Sequence, residues 1–138
     1  QAMCRENMED YTSEKLASVI ARVLDDNKAR DVIILNVANV CSLSDFFIIA
    51  TGTSTTQVRG LTETVKRKIK DIFKKIPIGS ETEKVNRWNL LDYGEVVVHI
   101  MHNVERENYK IEKFWSHAMI LDRETWEENS KEYSMYEK

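Results

Sequence analysis

The chain has 138 residues, of which 42% are hydrophobic and 31% charged, a composition that suits one folded domain with a core and excludes a disordered chain. A formal net charge of −3 and an isoelectric point near 5.7 give no global attraction to nucleic acid or anionic membrane. No apolar run reaches the length of a bilayer span and no basic-then-apolar leader opens the chain, so a cytoplasmic location is expected. Gln1-Ala2 ahead of Met3 reads as an appended start, and residues 1–11 are set aside as an N-terminal extension that is in part not native.

Leu16, Val19, Ile20, Val23 and Leu24 recur at helical spacing behind Thr12, an N-cap residue type, with Tyr11 and Leu16 in the staple positions. The first helix is expected from Ser13 to Lys28. Asp31 to Val37 is a β-branched run and reads as a strand. Phe46 to Ala50 is a second strand, and its near-continuous apolar character predicts burial on both faces. Ser54-Thr55-Thr56-Gln57 has the form of a capping box. A stripe of Val58, Leu61, Val65, Ile69, Ile72, Phe73 and Ile76 follows, with Pro77 and Gly79 ending the helix. Glu83-Lys84-Val85 is weakly marked as a strand. Asn89–Asp92 and Val96–Met101 are strong ones, and Asn103 is placed to cap a third helix running through Trp115. The order predicts an α/β fold with a single mixed sheet layered with helices. Beyond Trp115 the pattern weakens, and residues 116–138, with six acids and three bases, read as a frayed or partly helical acidic tail.

The chemistry-bearing residues do not assemble into a catalytic set. Cys4 and Cys41 are far apart and belong to no Cys-x-x-Cys pair, and Cys41 reads as a buried small hydrophobe. His99 and His102 are spaced to point to opposite faces of a strand, without a third ligand, so no metal is assigned. Gly52-Thr53-Ser54 lies between a strand and a helix, where backbone N–H groups can hold a phosphate, but the P-loop and Gly-x-Gly-x-x-Gly patterns are absent. A tight turn with a helix cap is the favoured reading, and nucleotide binding or nucleotidyl transfer there is the alternative. No Asp-x-Asp or Asp-x-Glu pair follows that turn to hold two metal ions. No catalytic residue and no cofactor is assigned. Lys66, Arg67, Lys68, Lys70, Lys74 and Lys75 make the second helix basic, read first as a solvated face and second as a peripheral contact for RNA phosphates.

The hairpin from Trp88 to Met101 carries the binding prediction. With Tyr93-Gly94 as a two-residue turn, Asp92 pairs with Glu95, Leu90 with Val97 and Trp88 with His99. One face then holds Trp88, Leu90, Asp92, Val97, His99 and Met101, and the other holds Leu91, Val96, Val98 and Ile100. A face of Trp, Leu, His and Met rimmed by acids is poor core and good interface. A bulge at Gly94 would instead shift the register by one and turn Trp88 to the apolar face. Both registers remain open at this point.

The same stretch resembles a known family. Gly79-x-Glu81, Trp88, Asp92, Gly94, Val98-His99, Arg106, Tyr109, Glu112 and Trp115, together with the block from Ser44 to Ser54, match the pattern of the ribosomal silencing factors, the RsfS or Iojap family. Asn108 and Ile111 depart from it slightly. The resemblance covers most of Asp31 to Trp115, and 12–115 is taken as the family's domain. It implies a fold related to nucleotidyltransferases without their catalytic carboxylates. It further implies a non-enzymatic factor that binds the large ribosomal subunit through ribosomal protein number fourteen, blocks subunit joining and lowers translation when nutrients are scarce, and that forms a homodimer in isolation. The partner-binding residues expected on this basis are Trp88, Leu90, Asp92, Val97, His99, Met101 and Tyr109, with Glu95 nearby. Tyr109, Glu112 and Trp115 are expected to border the site or to clamp the last helix.

Overall fold

The computed structural model describes residues 12–81, 86–110, 113 and 119–133. Among these residues the chain forms α1 (Ser13–Asp26), β1 (Arg30–Asn36), β2 (Phe46–Gly52), α2 (Thr55–Phe73), β3 (Gly79–Glu81), β4 (Trp88–Asp92), β5 (Val96–His102), α3 (Asn103–Tyr109), β6 (Ile120–Leu121) and α4 (Arg123–Asn129), with a 3-10 turn at Lys131–Tyr133. Six strands make one sheet in the order β3-β4-β5-β2-β1-β6. β2 and β5 run parallel at its centre and the other pairs are antiparallel, which is the mixed sheet expected.

Local chemistry sets the helix starts. The Thr12 side chain accepts from the Lys15 N–H, and the Ser54 side chain accepts from the Gln57 N–H, so both expected N-caps form. Gln57 reaches back one residue further than a capping box requires: its Oε1 accepts from the Thr53 N–H at 2.7 Å. Gly52 is where β2 passes closest to α2. A Cβ there would lie 2.8 Å from Val58 Cγ2 and 3.2 Å from its backbone nitrogen, so only glycine fits without displacement.

The helix ends differ from expectation for backbone reasons. α1 stops at Asp26 because Asn27 folds its N–H onto the Val23 and Leu24 carbonyls and Lys28 turns left-handed. α2 stops at Phe73, where Lys74 adopts the left-handed conformation and bonds the Lys70 carbonyl. Ile76, counted in the apolar stripe, therefore lies beyond the helix and is 65% exposed. The weak strand expected at Glu83-Lys84-Val85 lies outside the described residues. The strand that forms is Gly79–Glu81, recruited by pairing with β4. His102, rather than Asn103, caps α3 by accepting from the Val104 N–H. α3 ends at Tyr109 with Lys110 left-handed, and Ile111, Glu112, Phe114 and Trp115 lie outside the described residues.

α1 and α2 cover one face of the sheet. Leu16, Ile20, Val23, Val58, Val65 and Ile69 close over Ile34, Ile48, Leu91, Val98 and Ile100 in one continuous core. Residues 119–133 join this core instead of fraying. β6 pairs with β1, α4 lies against α1, and Trp126 is 1% exposed in the main cluster. Arg22 donates to Ser130 Oγ at 2.9 Å and to the Glu127 carbonyl at 2.7 Å, and Asn129 donates to Glu14 and Ser18. Only Met119, Ile120, Leu121, Trp126 and Tyr133 carry the apolar signal here, too few to mark a helix by periodicity. Among the described residues, 119–133 thus pack into the same core as the preceding elements.

Candidate functional site

The hairpin register is set by one glycine. Tyr93 N–H donates to the Val96 carbonyl at 2.8 Å, so the two-residue turn is Gly94-Glu95 and not Tyr93-Gly94. Gly94 has φ of +91°, the positive value that the first central residue of a primed turn needs, and its N–H is held by Asp92 Oδ1 at 2.8 Å. Asp92 therefore pairs with Val97, Leu90 with His99 and Trp88 with Met101. Each expected pairing is displaced by two positions. An even displacement preserves sides, so Trp88, Leu90, Asp92, Val97, His99 and Met101 still share a face, and the register that would turn Trp88 under the helices does not occur.

That face is the sheet side away from α1 and α2. Leu35, Val37, Ile49 and Met101 form a small buried cluster on it, with Ile33, Cys41, Phe47 and Trp88 packed around them. Cys41 is thus half-buried at the edge of this cluster and is not a core residue. β2 is apolar on both sides because it separates the two clusters. Phe47 and Ile33 belong to this surface and were missed as site residues; the alternation of Phe47 with Ile49 and of Ile33 with Leu35 was the signal for them.

The expected contact residues divide by accessibility. Trp88, Leu90, Asp92, Val97 and His99 are half-buried, and Tyr109 is 55% exposed at the end of α3. Met101 is fully buried, so it supports the Trp88 indole from beneath and offers no surface. Trp88 sits in an aromatic group: its ring lies 5.0 Å from Tyr109 and 6.0 Å from His99, and Phe47 meets His99 edge-on at 5.5 Å. Trp88 Nε1–H donates to His99 Nδ1 at 3.1 Å. His99 was expected to contact a partner through a polar atom, but its Nδ1 is engaged within the chain, where it orients the indole. α3 is fixed to the sheet by the buried Arg106, which donates to Thr51 Oγ1 at 2.7 Å. Arg87 and Glu105 bridge at 2.9 Å beside it. Asp92 is held by the turn, and Glu95 lies 3.9 Å from Lys75.

Burial lowers the His99 pKa from its ordinary 6.5 to about 4, and the Trp88 bond requires Nδ1 to be unprotonated, which leaves the ring proton on Nε2. Because the folded pKa lies below the unfolded one, the unfolded chain binds the extra proton between the two values. Stability from this group is complete above about pH 6.5 and declines as pH falls toward about 4. His99→Asn, which offers an oxygen near the Nδ1 position, is expected to flatten that decline by up to about 3 kcal/mol. His99→Phe is expected to flatten it equally while freeing the indole. Urea midpoints between pH 4 and 7 measure the flattening, and the Trp88 indole N–H resonance separates the two variants; unchanged pH dependence in both would remove His99 from this role.

The other candidates are accounted for locally. His102 caps α3, and among the described residues no three His, Cys, Asp or Glu side chains converge as a metal site. At Gly52-Thr53-Ser54, the Thr53 N–H is taken by Gln57 and the Gln57 N–H by Ser54, as a cap requires. An open groove of about 830 Å³ between the start of α1, the β1–β2 loop and the end of α4 is lined by polar side chains with Ala38 and Phe46, and shares no residue with the Trp88 surface.

Comparison with known proteins adds the family. Residues 10–138 match the family described as "Ribosomal silencing factor during starvation". The chain is 33% identical over 113 residues to "Ribosomal silencing factor RsfS" of Halalkalibacterium halodurans, covering 82% of this chain and 96% of that protein. It is 28% identical over 104 residues to "Mitochondrial assembly of ribosomal large subunit protein 1" of Mus musculus, covering 71% of this chain but 44% of that longer protein. Among solved structures it resembles the crystal structure of protein CV0518 from Chromobacterium violaceum, with a TM-score of 0.72, 34% identity and coverage of 76% of this chain and 87% of that one. A match running from residue 10 to the last residue takes in the hairpin, the Trp88 surface and the packed C-terminal segment together, and the chain belongs to the ribosomal silencing factor family.

Proposed function

We propose that the Trp88–Tyr109 surface docks the protein on the large ribosomal subunit through ribosomal protein number fourteen, and that the bound factor sterically blocks joining of the small subunit. The observation that carries this reading is a sheet face on which, among the described residues, only the short α3 packs, presenting a half-buried Trp88 and an exposed Tyr109 over a firm apolar base. Aromatic anchors of this kind dominate protein interfaces. Family membership supports a role in ribosome silencing, a regulatory and not a catalytic task, and the bacterial relatives support action in the cytoplasm. The name of the mouse relative supports the large subunit as the partner. The choice of ribosomal protein follows from the family resemblance.

The test is sedimentation of the protein with separated ribosomal subunits, followed by a subunit-joining assay. Comigration with large subunits alone, and a dose-dependent loss of joined ribosomes, are expected. Comigration with small subunits, or undiminished joining at saturation, would sink the proposal. The nucleotide alternative at Gly52-Thr53-Ser54 predicts saturable heat on mixing with nucleoside triphosphate and magnesium.

A further inference from the structure

The helical side of the molecule carries a second surface, of different chemistry. Val58, Leu61, Val65, Ile69 and Phe73 commit one side of α2 to the core. At 100° per residue, Arg67 falls opposite the core stripe, Arg59 and Lys70 lie toward the same side together with Glu63 and Asp71, Lys66 flanks the stripe half-buried, and Lys74 follows at the left-handed end of the helix. From Arg59 to Lys74 this ridge is about 22 Å long. Arg59, Arg67, Lys70 and Lys74 are exposed, and among the described residues Arg59, Arg67 and Lys70 form no ion pair. The acids nearby are Glu63, 3.9 Å from Lys66, and Asp71. Residues 59–75 hold seven cations against two acids, within a chain of net charge −3.

That seven-to-two excess distinguishes the segment from an ordinary solvated face, on which the signs balance. The compensating acids collect elsewhere, with Glu124, Glu127, Glu128 and Glu132 on α4 and the turn after it. A basic amphipathic helix can also lie on an anionic bilayer, but it does so by inserting its apolar side. Here that side is buried against the sheet, so only the charges remain to act. Long cationic side chains spread along about 22 Å match a run of phosphates and have no means of reading bases.

We propose that the outward ridge of α2 is a contact surface for the phosphate backbone of RNA, bound without sequence preference. It lies on the opposite side of the sheet from Trp88, so a protein partner and an RNA strand can be held at once. The proposal stands whether or not Trp88 is the protein anchor.

Fluorescence anisotropy of the full chain with a short labelled RNA hairpin, and with oligouridylate, tests it between about 50 and 200 mM salt. Both RNAs are expected to bind with similar affinity, with a slope of log affinity on log salt of about −3 to −5 for five phosphate contacts. The double variant R67Q/K70Q is expected to lose about tenfold in affinity and to make the slope shallower by about 1.5. Glutamine is a good helix former, and circular dichroism checks that the fold is kept. Trp88→Ala is expected to bind RNA like the wild type. Salt-independent binding, an R67Q/K70Q variant equal to wild type, or tighter binding to phosphatidylserine vesicles than to RNA would each overturn the proposal.

Discussion

Trp88→Ala is expected to weaken binding to large ribosomal subunits by about 30- to 1,000-fold, the equivalent of about 2–4 kcal/mol for a central aromatic anchor. The indole combines the features that make truncation costly. It is half-buried, locked in orientation by His99 at 3.1 Å, flanked by Tyr109 at 5.0 Å, and supported underneath by the buried Met101. Little of its surface lies in the main core, so the variant is expected to remain folded, with a loss of stability below about 2 kcal/mol. Sedimentation with isolated large subunits measures the first effect and urea unfolding the second. Wild-type affinity in a folded variant would exclude Trp88 as the anchor, whereas a loss of folding would leave binding to be judged from Tyr109→Ala, whose side chain is exposed.

The largest effect on stability is expected at a residue remote from that surface. Trp126→Ala should destabilise the domain by about 3–5 kcal/mol, the range for a buried tryptophan replaced by alanine. Trp126 is 1% exposed, Arg123 stacks over its ring at 4.9 Å, and its carbonyl accepts from Ser130 Oγ at 2.7 Å. Removing the ring opens a cavity between α4 and the main core and loosens the Arg22 and Asn129 bonds anchored on the same segment. The urea midpoint should fall strongly with an unchanged slope. A shift worth less than about 1 kcal/mol would show that residues 119–133 are an appendage after all.

What the sequence disclosed follows the range of the forces involved. Thr12 and Ser54 were readable as caps because capping joins residues three apart, and α1, α2, β1, β2, β4 and β5 were readable from their apolar periods. The division of the hairpin into two faces survived an error of two in its register, since sidedness depends only on parity. The missed features depend on distant partners or on single backbone angles. β3 exists because β4 lies beside it, α2 ends because Lys74 turns left-handed, and the C-terminal helix is secured by one tryptophan and by contacts to α1. His99 was legible as a polar residue on the right face, but its role as support for Trp88 required knowing that their rings meet.

The parallel pairing of β2 with β5 has a consequence for how the molecule forms. Phe47 and His99, whose rings meet beside Trp88, come from strands separated by two intervening strands and a helix in the chain. Ser44 reaches the Gly94 carbonyl across fifty positions, and Arg106 reaches Thr51 across fifty-five. Closing loops of that length precedes any reward from the contacts and slows the search for the native state. The hairpin can bring Trp88, His99 and Met101 together locally, but the base of Leu35, Val37 and Ile49 beneath them needs those distant closures, so a chain that has made only its helices and local hairpins holds the Trp88 face without its support.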